Sequence, residues 1–201
     1  MGDEVIVTTW FDYTCPHSHL GLQRLETLSE ELAFTIDQRP YLLRPDAPIT
    51  GFLGRNHQAE SQPPPRELSG RRPLISLPEE KPGLEPFSSR SLSTVLVHEP
   101  TACARELGRE REFYLAVATE YWERGADLES IYTLRKLAIK AKLDWRFMWL
   151  KLESGHYRAW VMEEHRAAVD RGVKGVPSYL IGEQLLAGDV SQGELRSALR
   201  R

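Results

Sequence analysis

Cys15 and Cys103 are the two thiols of this chain, and the first stands where a sulfur could be activated. It precedes Pro16, a residue suited to the first turn of a helix, and leucines at 22, 25, 28 and 32 follow at helical spacing. A cysteine at a helix N-terminus meets unsatisfied backbone N–H groups and the positive end of the helix dipole, which lower a thiol's pKa. His17 could add a positive charge or a hydrogen bond, and Ser18 could donate its hydroxyl to the sulfur. The plain alternative is that Cys15 is a small buried hydrophobe, with His17 and His19 incidental. Cys103, in Thr101-Ala102-Cys103-Ala104, reads as a packed bystander. His57, His98, His156 and His165 have no metal-ligand spacing, so no metal is expected.

The elements needed to place Cys15 follow from the pattern around it. Residues 4–11 are β-branched or aromatic almost throughout and predict a buried strand; residues 33–43, with Phe34, Ile36 and Tyr41, predict a second. A strand-helix-strand order favours a parallel pair. Nine of the thirteen prolines fall between Pro45 and Pro86, so 44–90 reads as a Pro-rich connection. Helical periodicity fills 91–171, with Gly108, Gly125 and Gly155 as stops and Asp144 as a cap. Trp145, Phe147, Trp149 and Trp160 are expected to be core and subdomain interface rather than a cofactor cradle. Ser178–Ile181 and Gln184–Ala187 read as a hairpin about Gly182-Glu183, and Ser191 to Glu194 has capping-box spacing ahead of a closing helix. The expectation is an α/β fold of β-α-β…β-β-α order, with one domain from 1–43 and 172–201 and a helical subdomain, 91–171, inserted between its halves.

Two segments carry a resemblance. Phe11-Asp12-Tyr13-Thr14-Cys15-Pro16-His17-Ser18-His19-Leu20-Gly21 resembles the active-site turn of the DsbA-like thioredoxin superfamily. The branch it is most similar to holds FrnE-type oxidoreductases, 2-hydroxychromene-2-carboxylate isomerases and kappa-class glutathione transferases. Gly175-Val176-Pro177-Ser178 resembles that superfamily's second signature. The resemblance implies a thioredoxin-like fold and a cis Pro177, the alternative being a trans proline opening a strand. It also implies that Pro16, Val176 and Pro177 dock a peptide backbone or glutathione beside Cys15. Asp189 resembles a position that binds the γ-glutamyl amine, the alternative being a solvated turn carboxylate.

One departure decides the chemistry. Disulfide-exchanging members carry Cys-X-X-Cys, whereas here the second cysteine is replaced by Ser18. The leading expectation is a thiol-dependent oxidoreductase in which Cys15 is the single nucleophile, tuned by His17 and Ser18, and acts through mixed disulfides. The alternative is a glutathione-dependent isomerase or transferase acting on a small aromatic compound, with Ser18 or Cys15 holding the thiolate of bound glutathione. A non-catalytic binding module is the third. No tightly bound cofactor is expected, with glutathione a candidate co-substrate and a small thiol or a disulfide-containing peptide the expected partner.

Composition narrows the class. With 41% hydrophobic residues, 27% charged and a net charge of -3, the chain has the balance of a globular protein and no field to attract nucleic acid. No apolar run approaches the ~20 residues of a membrane span. Met-Gly-Asp-Glu lacks a basic leader region, and two cysteines are too few for a disulfide framework, so a cytoplasmic location is expected. A homodimer is compatible with this reading.

Overall fold

The computed structural model describes residues 4–49 and 93–200. In chain order the elements are β1 (Val5–Phe11), α1 (Pro16–Ser29), β2 (Phe34–Pro40), α2 (Val95–Glu106), α3 (Glu110–Ala118), α4 (Ile131–Lys140), α5 (Trp145–Glu153), α6 (Arg158–Asp170), β3 (Ser178–Ile181), β4 (Gln184–Ala187) and α7 (Gln192–Leu199). Two compact units result. Among the described residues, one holds 4–43 and 160–200, the other 44–49 and 93–159.

The first unit is built on a four-stranded sheet in the order β2-β1-β3-β4. β1 is central: it pairs parallel with β2, from Val5 opposite Phe34 to Phe11 opposite Pro40, and antiparallel with β3, from Val7 opposite Ile181 to Trp10 opposite Ser178. Side chains alternate between the faces of a strand. Val7, Thr9, Phe11 and Tyr179 therefore share one face, all of them buried, with α1 packed over it through the fully buried Leu22, Leu25 and Leu28. Each of those leucines contributes on the order of 2 kcal/mol of burial free energy. α7 lies beside α1, where Arg196 pairs with Glu31. On the opposite face Trp10 packs with Ala168 and Val173, joined by Tyr41, Val176 and Leu180.

That second face sets the boundary of the unit. It begins at Trp160 within α6 rather than at 172, because the end of α6 supplies Ala168 to the Trp10 cluster. β2 ends at Pro40, short of the expected 43. After the Tyr41 N–H has donated to the Phe11 carbonyl, the Leu42 N–H donates to His165 Nδ1 and the Leu43 N–H to the Asp12 carboxylate, so side chains replace the ladder. The hairpin stands on the expected residues, with Ser178 opposite Ala187 and Ile181 opposite Gln184. Gly182, at φ 59, supplies the positive dihedral that a two-residue turn requires.

In the second unit α2 is buried from Val95 through Ala104. Phe113, Val117 and Tyr121 form the expected stripe, and the Asp144 carboxylate accepts from the Arg146 and Phe147 N–H groups as a cap. A π-helical turn, Thr119–Glu123, extends α3. It puts the carboxylate of Glu120, nearly enclosed, among Arg124, Lys136 and Lys140. The aromatic block departs from expectation: Met148 and Leu152 are the buried residues of α5, while Trp145 and Trp149 stack on one another and Phe147 is exposed. The expected Pro-rich connection lies outside the described residues from 50 onward.

Candidate functional site

The turn between β1 and α1 is organised by Asp12, a residue whose local role the spacing did not show. Its carboxylate accepts from the Thr14 N–H at 2.8 Å, the Thr14 hydroxyl at 2.7 Å and the Leu43 N–H at 3.0 Å. Only 1% of it is exposed. Three donors around one carboxylate make a buried charge tolerable and fix the turn's shape. The only sign in the sequence was an aspartate two residues before a threonine, the pattern of a local side-chain turn. The Asp12 carbonyl then accepts from the Cys15 N–H at 3.0 Å, and α1 begins.

Cys15 is the N-cap of α1, with extended backbone (φ -87, ψ 114), and Pro16 occupies the first turn. Its carbonyl accepts the first helical bond, from the His19 N–H at 3.2 Å. The thiol donates to the Val176 carbonyl at 3.4 Å across 161 residues of sequence. The loop bearing that carbonyl is held at both ends: the Ser178 hydroxyl donates to the Gly175 carbonyl at 2.7 Å, and the Gly188 N–H to the Pro177 carbonyl at 2.8 Å. The Val176–Pro177 peptide bond is cis.

The electrostatics correct one expectation. Burial pushes the Cys15 thiol above its ordinary pKa. With 6% of the residue exposed, the loss of solvation outweighs the groups that favour the anion: the Ser18 hydroxyl, and the Ser18 and His17 backbone N–H groups. The Asp12 carboxylate pushes the same way as burial. The resting sulfur is therefore a neutral thiol bonded to a carbonyl, not the standing thiolate that a helix N-terminus suggested.

Ser18 lies beside that sulfur. It is 1% exposed, and its hydroxyl oxygen makes no conventional hydrogen bond within the structure. A buried hydroxyl without an acceptor costs free energy until one forms. An ionised Cys15 would be that acceptor.

His17 and Asp189 meet: His17 Nδ1 lies 3.8 Å from Asp189 Oδ2. Asp189 has a second and closer partner that the sequence reading missed. Arg24, 4% exposed, donates through Nη1 to Asp189 Oδ1 and, at 2.8 Å, to the Val190 carbonyl. The signal available was spacing, since Arg24 follows His17 by two helical turns and so shares its face. His19 stands apart from this group, held neutral by burial with its pKa pushed down to about 4 and its Nε2 within 3.2 Å of Gln23.

One turn further on, Gly21 lets β3 approach. A Cβ there would lie 1.8 Å from the Tyr179 hydroxyl and 3.5 Å from Pro177. The structure thus brings Cys15, Pro16, His17, Ser18, Val176, Pro177 and Asp189 to one end of the sheet. Cys103 is fully buried in α2, its thiol raised by burial, with Tyr157 as a hydrogen-bonding neighbour. His165 Nδ1 accepts from the Leu42 N–H at 3.1 Å, a structural use. Among the described residues, no three His, Cys, Asp or Glu side chains are grouped to hold a metal ion, and no helix is long and apolar enough to cross a membrane.

Solved structures share this arrangement of elements. The chain superposes on the probable DsbA oxidoreductase of Streptomyces coelicolor with a TM-score of 0.73 at 19% identity, covering 98% of this chain and 88% of that one. A 2-hydroxychromene-2-carboxylate isomerase gives a TM-score of 0.67 at 20% identity, with 97% and 94% covered. A thioredoxin-like oxidoreductase from Silicibacter pomeroyi gives 0.62 at 18%, with 99% and 86% covered. At such identities the likeness is one of fold. No curated protein matches significantly by sequence. The family assignment comes from the sequence profile, which matches from residue 6 to residue 200, and by it this chain belongs to the DSBA-like thioredoxin domain family.

Proposed function

We propose that the protein is a thiol-disulfide oxidoreductase that works through Cys15 alone, by way of mixed disulfides. The observation that carries this is the 3.4 Å contact between the Cys15 thiol and the Val176 carbonyl. It puts the sulfur beside a backbone acceptor that an extended peptide's N–H can use.

Cys15 gives up its proton to solvent, and the thiolate, now accepting from Ser18, attacks one sulfur of a disulfide R–S–S–R′. The new S–S bond joins Cys15 to R. The old one breaks, and R′S⁻ leaves to be protonated. Position 18 holds a serine and cannot finish the cycle, so an external thiolate attacks the R sulfur of the mixed disulfide, forms a disulfide with R and releases the Cys15 thiolate, which is reprotonated. Glutathione, in a reducing compartment such as the cytoplasm, is the proposed resolving thiol. No tightly bound cofactor is required.

Loss of the S–H donor on ionisation frees the Val176 carbonyl, so docking and activation favour one another. Incubation with a peptide disulfide, followed by intact-mass measurement, tests the reading. The expected product is a single adduct on Cys15, released by glutathione. Absence of any adduct at peptide concentrations that saturate other thiols would overturn it.

A second reading has one observation in its favour. The buried, unpaired Ser18 hydroxyl could equally hold the thiolate of bound glutathione in an isomerase or transferase. In that case S-methylglutathione, which cannot form a disulfide, should shield Cys15 from alkylation. Under the oxidoreductase reading it should not.

A further inference from the structure

We propose that Arg24 is a positioning residue that sets the charge state of the His17 ring through Asp189. The inference rests on the reading of Cys15 as the reacting thiol only for its significance; the arrangement is tested without turnover.

Three observations meet here. Arg24 is a buried guanidinium on α1, with its charge committed to Asp189 Oδ1 and anchored by the Val190 carbonyl at 2.8 Å. Asp189 is only 29% exposed and turns its other oxygen toward His17 Nδ1, 3.8 Å away. His17 Nδ1, a buried atom on a side chain that is 45% exposed, makes no hydrogen bond within the structure. A cation, a carboxylate and an imidazole thus stand in line, ending two residues from Cys15.

An unpaired carboxylate at this point would attract a substrate ammonium and would hold His17 cationic. With Arg24 against it, the carboxylate's direction is fixed and its charge is shared between the guanidinium and the imidazole. The other charged or titratable groups on the surrounding elements have different commitments. Cys15 bonds to Val176, Asp12 holds its turn, and His19 lies against Gln23. On α7, Glu194 bonds to Ser191 and Arg196 to Glu31. Tyr179 faces Gly21, and Lys174 precedes the Val176 loop. Arg24 and Asp189 are the pair aligned on the ring.

Opposite substitutions should therefore move His17 in opposite directions. Its titration is read by NMR from the ring Cε1–H. Arg24→Met leaves Asp189 uncompensated, and the His17 pKa should rise by about half a unit to one unit. Asp189→Asn leaves Arg24 uncompensated, and the pKa should fall by a similar amount. Arg24→Lys, which keeps the charge but not the fork, should restore most of the wild-type value. Should Arg24→Met fail to fold, Asp189→Asn and Arg24→Lys decide between them. Shifts in the same direction, or no shift under Asp189→Asn in a folded protein, would show that Arg24 is merely structural and overturn the proposal. If His17 moves as expected while Cys15 forms no mixed disulfide, the charge line stands and the oxidoreductase reading is what fails.

Discussion

Cys15 and Cys103 are both buried, and burial is the leading cause that raises the pKa of each. Their neighbours differ. Around Cys15 the opposing influences come from an unpaired hydroxyl and the first N–H groups of a helix, which strengthen as the sulfur ionises. Around Cys103, in the body of α2, the Tyr157 hydroxyl and the Lys151 charge favour the anion, but Tyr157 already donates to Glu106 at 2.6 Å, and Glu106 itself disfavours the anion. Burial raises both thiols, so what distinguishes Cys15, the proposed nucleophile, is the set of donors around it that its anion could use.

The sharpest way to break that contrast is to remove each sulfur in turn. Cys15→Ser should abolish mixed-disulfide formation with a peptide disulfide, while Cys103→Ala should retain it, both followed by intact mass. An adduct that survives Cys15→Ser would move the chemistry to Cys103. In the native protein, alkylation of Cys15 should accelerate with pH to beyond about 8.5, because its pKa is raised, not lowered. Cys103 should label only on unfolding.

Next in size is an effect of acid on the helix that carries Cys15. His19 has a folded pKa of about 4, against roughly 6.5 in an unfolded chain. A depressed folded value means that the unfolded state takes up the proton first. Stability is full above about pH 6.5 and falls between there and pH 4, by up to about 3 kcal/mol from this residue. Denaturant midpoints measured across that window should fall with pH, and His19→Gln should flatten the curve. A curve unchanged by His19→Gln would remove His19 as the cause.

Gly21→Ala tests the approach of β3 to α1. The added Cβ meets the Tyr179 hydroxyl, which is fully buried and cannot retreat into solvent. A loss of about 1–3 kcal/mol is expected. Tyr179→Phe in the same chain should recover part of it, since the overlapping oxygen is gone while the ring carbon remains 3.0 Å away. Equal midpoints for Gly21→Ala and wild type would mean that the sheet and helix yield more easily than their packing implies.

How much of this was legible in the residues varies with range. The hairpin, the caps at Asp144 and Ser191 and the stops at Gly108, Gly125 and Gly155 are local, and each follows from a side chain or a dihedral within a few residues. The Cys15 turn was legible because Pro16 and the leucine spacing mark a helix start. Arg24 and Asp12 were not, because their roles depend on Asp189 and Leu43, far away in the chain. The charge state of Cys15 was misread for a related reason. The helix end is visible in the sequence, whereas the cover that desolvates the sulfur comes from tertiary packing.

Ser18 gives the smallest expected change and the most direct reading of what distinguishes the two thiols. If its hydroxyl stabilises the Cys15 anion, Ser18→Ala should raise the Cys15 pKa further, and alkylation at neutral pH should slow by up to about tenfold. Ser18→Cys puts a second thiol one helical turn from the first, near enough for a disulfide if the sulfurs can reach bonding geometry. Attack by that thiol on a mixed disulfide is intramolecular, so its effective concentration exceeds any free thiol's, and bound partners should be released faster than from wild type. The measurement is the lifetime of the Cys15 adduct in a fixed glutathione buffer, compared between wild type, Ser18→Ala and Ser18→Cys. A shorter lifetime in Ser18→Cys alone would show that the missing thiol is what makes wild type hold its partners. Equal lifetimes in all three would mean that external thiol governs release throughout, and that position 18 serves only to tune the sulfur.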